Sequence, residues 1–292
     1  MTSSFHEKLR RASERNQSLL CVGLDPDPEL MPVGVDLFEF NRRIIDATKN
    51  LVCAYKPNLA FYDALGEEGY SALRRTVDHV RATCEIPIIG DSKRGDVQST
   101  SKFYARAMFE VWEFDASTIN PYAGHDAAQP FLEYSTKGIF VWCRSSNPSA
   151  SEFQDLAVSQ TNQAGEREAE PLYMRVARQA TRWNYNGNVG LVVGATYPDE
   201  LKRIRAATGA MLVLIPGVGA QQGSVGSAVE SGVDENGRNA VINVSRSIIY
   251  ANDNPAYFDE KAGCNASKVR KMINDHLTSI GKGWSESTTC RR

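Results

Sequence analysis

The sequence predicts a single parallel (β/α)8 TIM barrel, an α/β fold, on three observations. Eight short, β-rich apolar runs alternate with amphipathic stretches along the chain. No G-x-G-x-x-G follows the first run, as an open dinucleotide-binding sheet would have. The length of 292 residues admits two ordinary domains but equally fits one large barrel.

The elements follow in order. Ser4 with Glu7 reads as a capping box that starts a helix. The first strand, 19–24, closes on Asp25 just before Pro26. Asp36 with Glu39 reads as a second capping box, and Leu37, Phe40, Ile44 and Thr48 place one stripe of that helix on the core. In the second strand, 51–56, the period of two puts Val52, Ala54 and Lys56 on one face, so inward small residues bring the lysine inward too. Tyr70, Leu73, Val77 and Val80 mark the next helix. The third strand, 86–91, runs into Asp91-Ser92-Lys93-Arg94-Gly95-Asp96, where Asp91 and Lys93 stand two apart and face the same way. Phe103, Phe109 and Trp112 form a helical stripe that reads as core. The other strands are read at 114–119, 138–143, 188–193, 211–215 and 240–244. The interval 144–170 is polar without a clear period and reads as a loop insertion over the barrel. The tail 281–292, with Trp284 isolated, reads as flexible. With no repeat or low-complexity block, residues 1–292 form one domain.

Composition narrows the function. Apolar residues at 42% and charged residues at 23% describe a globular chain and exclude a wholly disordered or collagen-like one. The 33 basic and 35 acidic residues nearly cancel, so no nucleic-acid-binding surface is expected and an anion must be met locally. No apolar run approaches the ~18 residues of a membrane span, and the N-terminus reaches Glu7, Lys8, Arg10 and Arg11 without a signal core. A cytoplasmic protein without membrane contact is expected. Of the cysteines, Cys21, Cys53 and Cys143 lie in apolar runs and read as reduced, buried thiols; Cys84, Cys264 and Cys290 complete the set, without a C-x-x-C pair.

Barrel active sites lie at the C-terminal strand ends. There, Lys56, Asp91, Lys93 and Asp96 make an alternating array of ammonium and carboxylate groups with Asp25 beside it. A structural salt-bridge network is the plainer reading. Three charges in D-x-K-x-x-D on an apolar strand end are costly to desolvate, which favours function. After the seventh strand, Pro216-Gly217-Val218-Gly219-Ala220-Gln221 leaves through two glycines that let backbone N–H groups approach an anion. After the eighth, Ser245-Arg246-Ser247 opens a short helix, where a cation opposes the macrodipole unless an anion lies between. These two loops form the usual barrel phosphate site. His6, His79, His125 and His276 are scattered, with His79 and His276 on solvated faces, so no metal site is expected. No G-x-S-x-G or Walker A sequence occurs.

With those residues in view, the chain resembles the orotidine 5'-phosphate decarboxylase family, of the longer bacterial type (type 2). The resemblance runs from Cys21-Val22-Gly23-Leu24-Asp25 through Tyr55-Lys56-Pro57-Asn58 and the D-x-K-x-x-D motif to Pro216-Gly217-Val218-Gly219 and Ser245-Arg246-Ser247. Thr118-Ile119-Asn120-Pro121-Tyr122 and Arg144-Ser145-Ser146-Asn147-Pro148 resemble the longer type in particular. It implies a carboxy-lyase of de novo pyrimidine biosynthesis that converts orotidine 5'-phosphate to UMP without a cofactor. Lys93 would be the proton donor, flanked by Asp91 and Lys56. Asp96 and Thr100 would reach the neighbouring subunit's site, making a homodimer. Asp25 and Lys56 would hold the ribose, and Ser145 or Ser146 the pyrimidine, with Ser145 favoured as nearer the strand end. Gln221 and Arg246 would hold the phosphate, alongside Pro216, Gly217, Gly219 and Ser245. Val97 departs by one methylene from the isoleucine the family often has.

Loss of CO2 from C6 of orotate leaves an in-plane carbanion, and no pyridoxal or thiamine site is apparent, so its stabilisation must be electrostatic. Two rivals are a Mg2+-dependent barrel lyase acting on a sugar phosphate, which would add a carboxylate before Asp91, and a silent phosphate-metabolite sensor, which would have lost an array charge. Neither feature is present in the sequence.

Overall fold

The N-terminal segment seals one end of the barrel and thereby decides where a ligand enters. Ser4 Oγ accepts from the Glu7 N–H at 3.3 Å and the Glu7 carboxylate accepts from the Ser4 N–H at 3.0 Å, so the capping box is complete and starts the helix Phe5–Asn16. From that helix Phe5 and Leu9 enter the barrel interior, Phe5 meeting Phe140 edge-on at 5.8 Å. The computed structural model describes residues 3–161, 167–219 and 223–284.

Among the described residues, the eight expected strands are β1 (Leu20–Leu24), β2 (Ala54–Pro57), β3 (Ile89–Arg94), β4 (Ala116–Ile119), β5 (Gly138–Arg144), β6 (Val189–Val193), β7 (Leu212–Ile215) and β8 (Ala240–Val244). They are parallel in the order β2-β1-β8-β7-β6-β5-β4-β3. The gap between β2 and β3 is spanned by the bridges Tyr55 to Ile88 and Asn58 to Asp91, with the Tyr55 N–H donating to Pro87 O at 3.0 Å. The chain is a TIM barrel. Small and branched residues such as Cys21, Ala54, Ile89 and Val241 fill its interior, and a second apolar layer lies between the strands and the helices.

Several local expectations need correction. Val52 precedes β2 and packs in the outer layer, so the period-two argument holds only for Ala54 and Lys56. Asp36 caps Leu37–Thr48, but the Glu39 carboxylate is taken by Arg42 at 2.7 Å, leaving that capping box half made. Leu73, Val77 and Val80 are buried on Gly66–Thr83 while Tyr70 stays exposed. Phe109 is core, but Phe103 is exposed, because Gln98–Arg106 passes into a π-helical turn at Ala107–Val111 that shifts the phase of the stripe. His79 is not on a solvated face: it is half-buried, 3.1 Å from the Asp46 carboxylate.

The insertion carries structure of its own. It contains the short helix Ser151–Gln154 and an antiparallel hairpin, Ala157–Thr161 with Arg167–Pro171, whose mostly polar sequence has too few apolar residues to show a period. Trp284 is not isolated, since its indole N–H donates to Asn274 Oδ1 at 2.9 Å and the Arg238 guanidinium lies 3.6 Å from its ring centre. The remainder of the tail, with Cys290, lies outside the described residues. Cys21, Cys53 and Cys143 are buried free thiols, and burial pushes those of Cys53 and Cys143 up to about 12. Among the described residues, no helix is long and apolar enough to cross a membrane.

Candidate active site

At the open end of the barrel a buried carboxylate sits between two ammonium groups. Lys56 Nζ donates to Asp91 Oδ2 at 2.7 Å, and Lys93 Nζ to Asp91 Oδ1 at 2.6 Å. The Thr118 hydroxyl donates a third hydrogen bond to this carboxylate, to Oδ1 at 2.9 Å. Burial alone would pull the Asp91 carboxyl upward, but the charges of Lys56 and then Lys93 outweigh it and hold Asp91 well below the usual carboxylate range. Burial would likewise push Lys56 down, yet Asp91 and then Asp25 hold it above an ordinary lysine. The pair is therefore ionised across the neutral range.

Asp91 and Lys93 do meet, though simple alternation is not the reason. The β3–β4 register shifts between Gly90 and Arg94, and Lys93 has a φ of 46°, in the left-handed region. A non-glycine residue there costs roughly 1–2 kcal/mol. Thr118 holds it, accepting from the Lys93 N–H at 2.9 Å while donating to Asp91. Asp96 is not part of the array within one chain: it is exposed, and its carboxylate accepts from the Val97 N–H at 2.6 Å. Thr100 also lies outside the cavity lining.

The array forms one wall of a cavity of about 410 Å³ that Asp25, Lys56, Trp142, Arg144, Pro216 and Arg246 also line. Asp25 Oδ1 accepts from the Asn58 N–H at 3.2 Å, and Tyr250 braces the turn by donating to Asp25 O at 2.7 Å and accepting from the Asp27 N–H at 2.6 Å. Gly23 is required by close approach, because a Cβ there would lie 1.8 Å from Ser245 Oγ.

Opposite the array, Gly217 and Gly219 take φ values of 91° and 84°, and the loop closes with the Gly219 N–H on Gly223 O at 3.0 Å. Gly217 and Ser245 line the cavity; Gly219 does not, and Gln221 lies outside the described residues. Arg246 opens the short helix Arg246–Ile249 and is exposed to the cavity, with no acceptor among the described residues. That is the unbalanced cation the sequence suggested.

Ser145 and Ser146 both line the cavity. The Ser145 hydroxyl is already hydrogen-bonded to Asn147 Oδ1, whereas that of Ser146 has no partner among the described residues. The geometry therefore favours Ser146, against the expectation from strand-end proximity. Sequence reasoning also missed Thr118, Trp142 and Arg144 as site residues. Trp142 has the Lys93 ammonium 6.0 Å from its ring centre. Arg144 is fully buried, reaching Gln154 Oε1 at 3.1 Å and Asp155 at 3.2 Å, and so fastens the insertion to the end of β5. Among the described residues, no group of three or more His, Cys, Asp or Glu is gathered as metal ligands.

A parallel barrel with its charged groups at the C-terminal strand ends and a sealed opposite end defines a TIM-barrel enzyme. More specifically, the chain belongs to the orotidine 5'-phosphate decarboxylase / HUMPS family, whose model matches residues 18–258. It is 46% identical over 272 residues to an orotidine 5'-phosphate decarboxylase of Dehalococcoides mccartyi strain CBDB1, covering 93% of this chain and 98% of that one. It is 48% identical over 276 residues to one of Thermomicrobium roseum, covering 92% and 95%. The structure of Leishmania donovani OMP decarboxylase is similar at a TM-score of 0.76 and 35% identity, over 92% of this chain and 99% of that one.

Proposed function

We infer that the chain decarboxylates orotidine 5'-phosphate to UMP in pyrimidine biosynthesis. The observation that carries this reading is the Lys56–Asp91–Lys93 array, with Lys56 and Asp91 buried, at one wall of a cavity whose other side presents Arg246, without an acceptor among the described residues. The relatives above support the same substrate.

Phosphate binds Arg246 and the Gly217 turn, the ribose meets Asp25 and Lys56, and the pyrimidine edge meets Ser146. The C6 carboxylate then lies toward Asp91 and Lys93. Heterolysis of the C6–carboxylate bond releases CO2 and leaves the electron pair on C6, where the Lys93 ammonium stabilises it. Lys93 delivers a proton to C6 and is reprotonated from solvent, so the carbon gains the proton it needs and no electron sink is used. Asp91 holds the ammonium in place. Asp96 and Thr100, outside their own chain's cavity, fit contribution to a partner's site in a homodimer.

A Mg2+-dependent lyase on a sugar phosphate is disfavoured by one feature: both Asp91 oxygens already accept from lysines, and Ile89 and Gly90 precede it without a carboxylate. The test is the fall in orotidine 5'-phosphate absorbance with EDTA present. Undiminished turnover is expected, and inhibition reversed by Mg2+ would favour the lyase.

Arg246→Ala separates a phosphate contact from a structural role. Loss of a charge-assisted contact of about 1.5–3 kcal/mol should lower kcat/KM for orotidine 5'-phosphate by roughly 10- to 150-fold, and more if loop closure fails with it. The nucleoside orotidine, which has no anion there, should be affected little. Equal losses on both substrates would mean that Arg246 is structural.

A further inference from the structure

Barrel interiors are filled with apolar residues, and β8 begins in that way, with Val241 in the inner cluster. Two positions further the same face carries Asn243, buried at 6% exposure on the floor of the active-site cavity. Its Oδ1 is buried without a hydrogen-bond partner, and no other described residue pairs with its carboxamide. Across the ladder it faces Cys21, and the next inward position on β1 is Gly23, which has no side chain to offer. An amide oxygen held out of water without a partner is costly, where an aliphatic residue of the same size would cost nothing. A ligand group that completes its hydrogen bonds removes that cost.

We propose that Asn243 is a specificity residue whose carboxamide hydrogen-bonds a ribose hydroxyl of the bound nucleotide. The position selects the sugar. Asn243 stands two residues before Ser245 and three before Arg246, both of which line the same cavity, and β8 is the neighbour of the strand that ends at Asp25. Ser146 leaves β5, three strands away around the barrel. A hydroxyl both donates and accepts, matching a carboxamide that has both capacities free. The proposal rests on the nucleotide reading above.

The test measures the affinity of UMP, 2'-deoxyUMP and 3'-deoxyUMP for the wild type, Asn243→Leu and Asn243→Ser, with thermal melts to establish folding. The wild type should bind UMP about tenfold more tightly than the analogue lacking the contacted hydroxyl. In Asn243→Leu that preference should vanish, with UMP weakened about tenfold and that analogue unchanged. Asn243→Ser gives the same reading if leucine does not fold. Equal weakening of all three nucleotides, or UMP affinity equal to wild type, would overturn the proposal. A wild type that neither binds UMP nor consumes orotidine 5'-phosphate would overturn the nucleotide reading itself, so the two failures are distinct.

Discussion

Lys93→Ala should reduce decarboxylation on the order of 10⁵-fold while leaving UMP affinity within about tenfold of wild type. Two effects are lost together, since the ammonium both stabilises the developing carbanion and supplies its proton, and these contribute roughly 10²–10³ and 10²–10⁴ respectively. UMP already has hydrogen at C6 and makes no demand on either effect. Asp91 keeps Lys56 at 2.7 Å, so the buried carboxylate is still paired and the variant should fold. Alanine also inherits the φ of 46° at a cost similar to lysine's, which keeps backbone strain from confusing the comparison. Single-turnover kinetics with isothermal titration of UMP would decide it. Turnover within tenfold of wild type would remove Lys93 from the chemistry, and loss of UMP binding would recast it as a binding residue.

The parts of this site that were legible in the sequence were those that break a pattern. Lys56, Asp91 and Lys93 end apolar strands, where charge is expensive unless it has work to do, and Arg246 sits against a helix dipole. Parts that fit an ordinary pattern were invisible. Thr118 resembles any threonine of a β-strand, yet it ties the Lys93 backbone to the Asp91 carboxylate. Arg144 opens the polar interval read as a loop insertion, and only the packing of Gln154 and Asp155 over it shows that it is fully buried. The choice between Ser145 and Ser146 depends on where Asn147 points, which spacing alone does not encode. Fold class was more accessible, because strands buried on both faces leave continuous apolar runs whatever their details. The π-helical turn at Ala107–Val111 left no such trace, and the aromatic stripe was misphased across it.

Two inactive proteins should make an active one when mixed. Asp91 and Lys93 belong to β3 and face their own chain's cavity, whereas Asp96 is exposed and outside it. What turns the chain between them is the left-handed backbone at Lys93. Gly95 has a different part, lying so close to Asn120 O that a Cβ would stand 2.5 Å from it. If Asp96 completes the partner's site, both sites of either homodimer carry one lesion, whereas in a mixed dimer Lys93→Ala and Asp96→Ala fall together in one site. The other site of that mixed dimer then carries neither lesion. Random exchange makes about half of the dimers mixed, each with one intact site of two, so about a quarter of wild-type activity should appear. Subunit exchange followed by mass spectrometry of labelled chains, alongside the decarboxylation assay, would show both events. Verified exchange with no activity would mean that each site is built within one chain, and Asp96 would then have to act, if at all, through the loop that carries it.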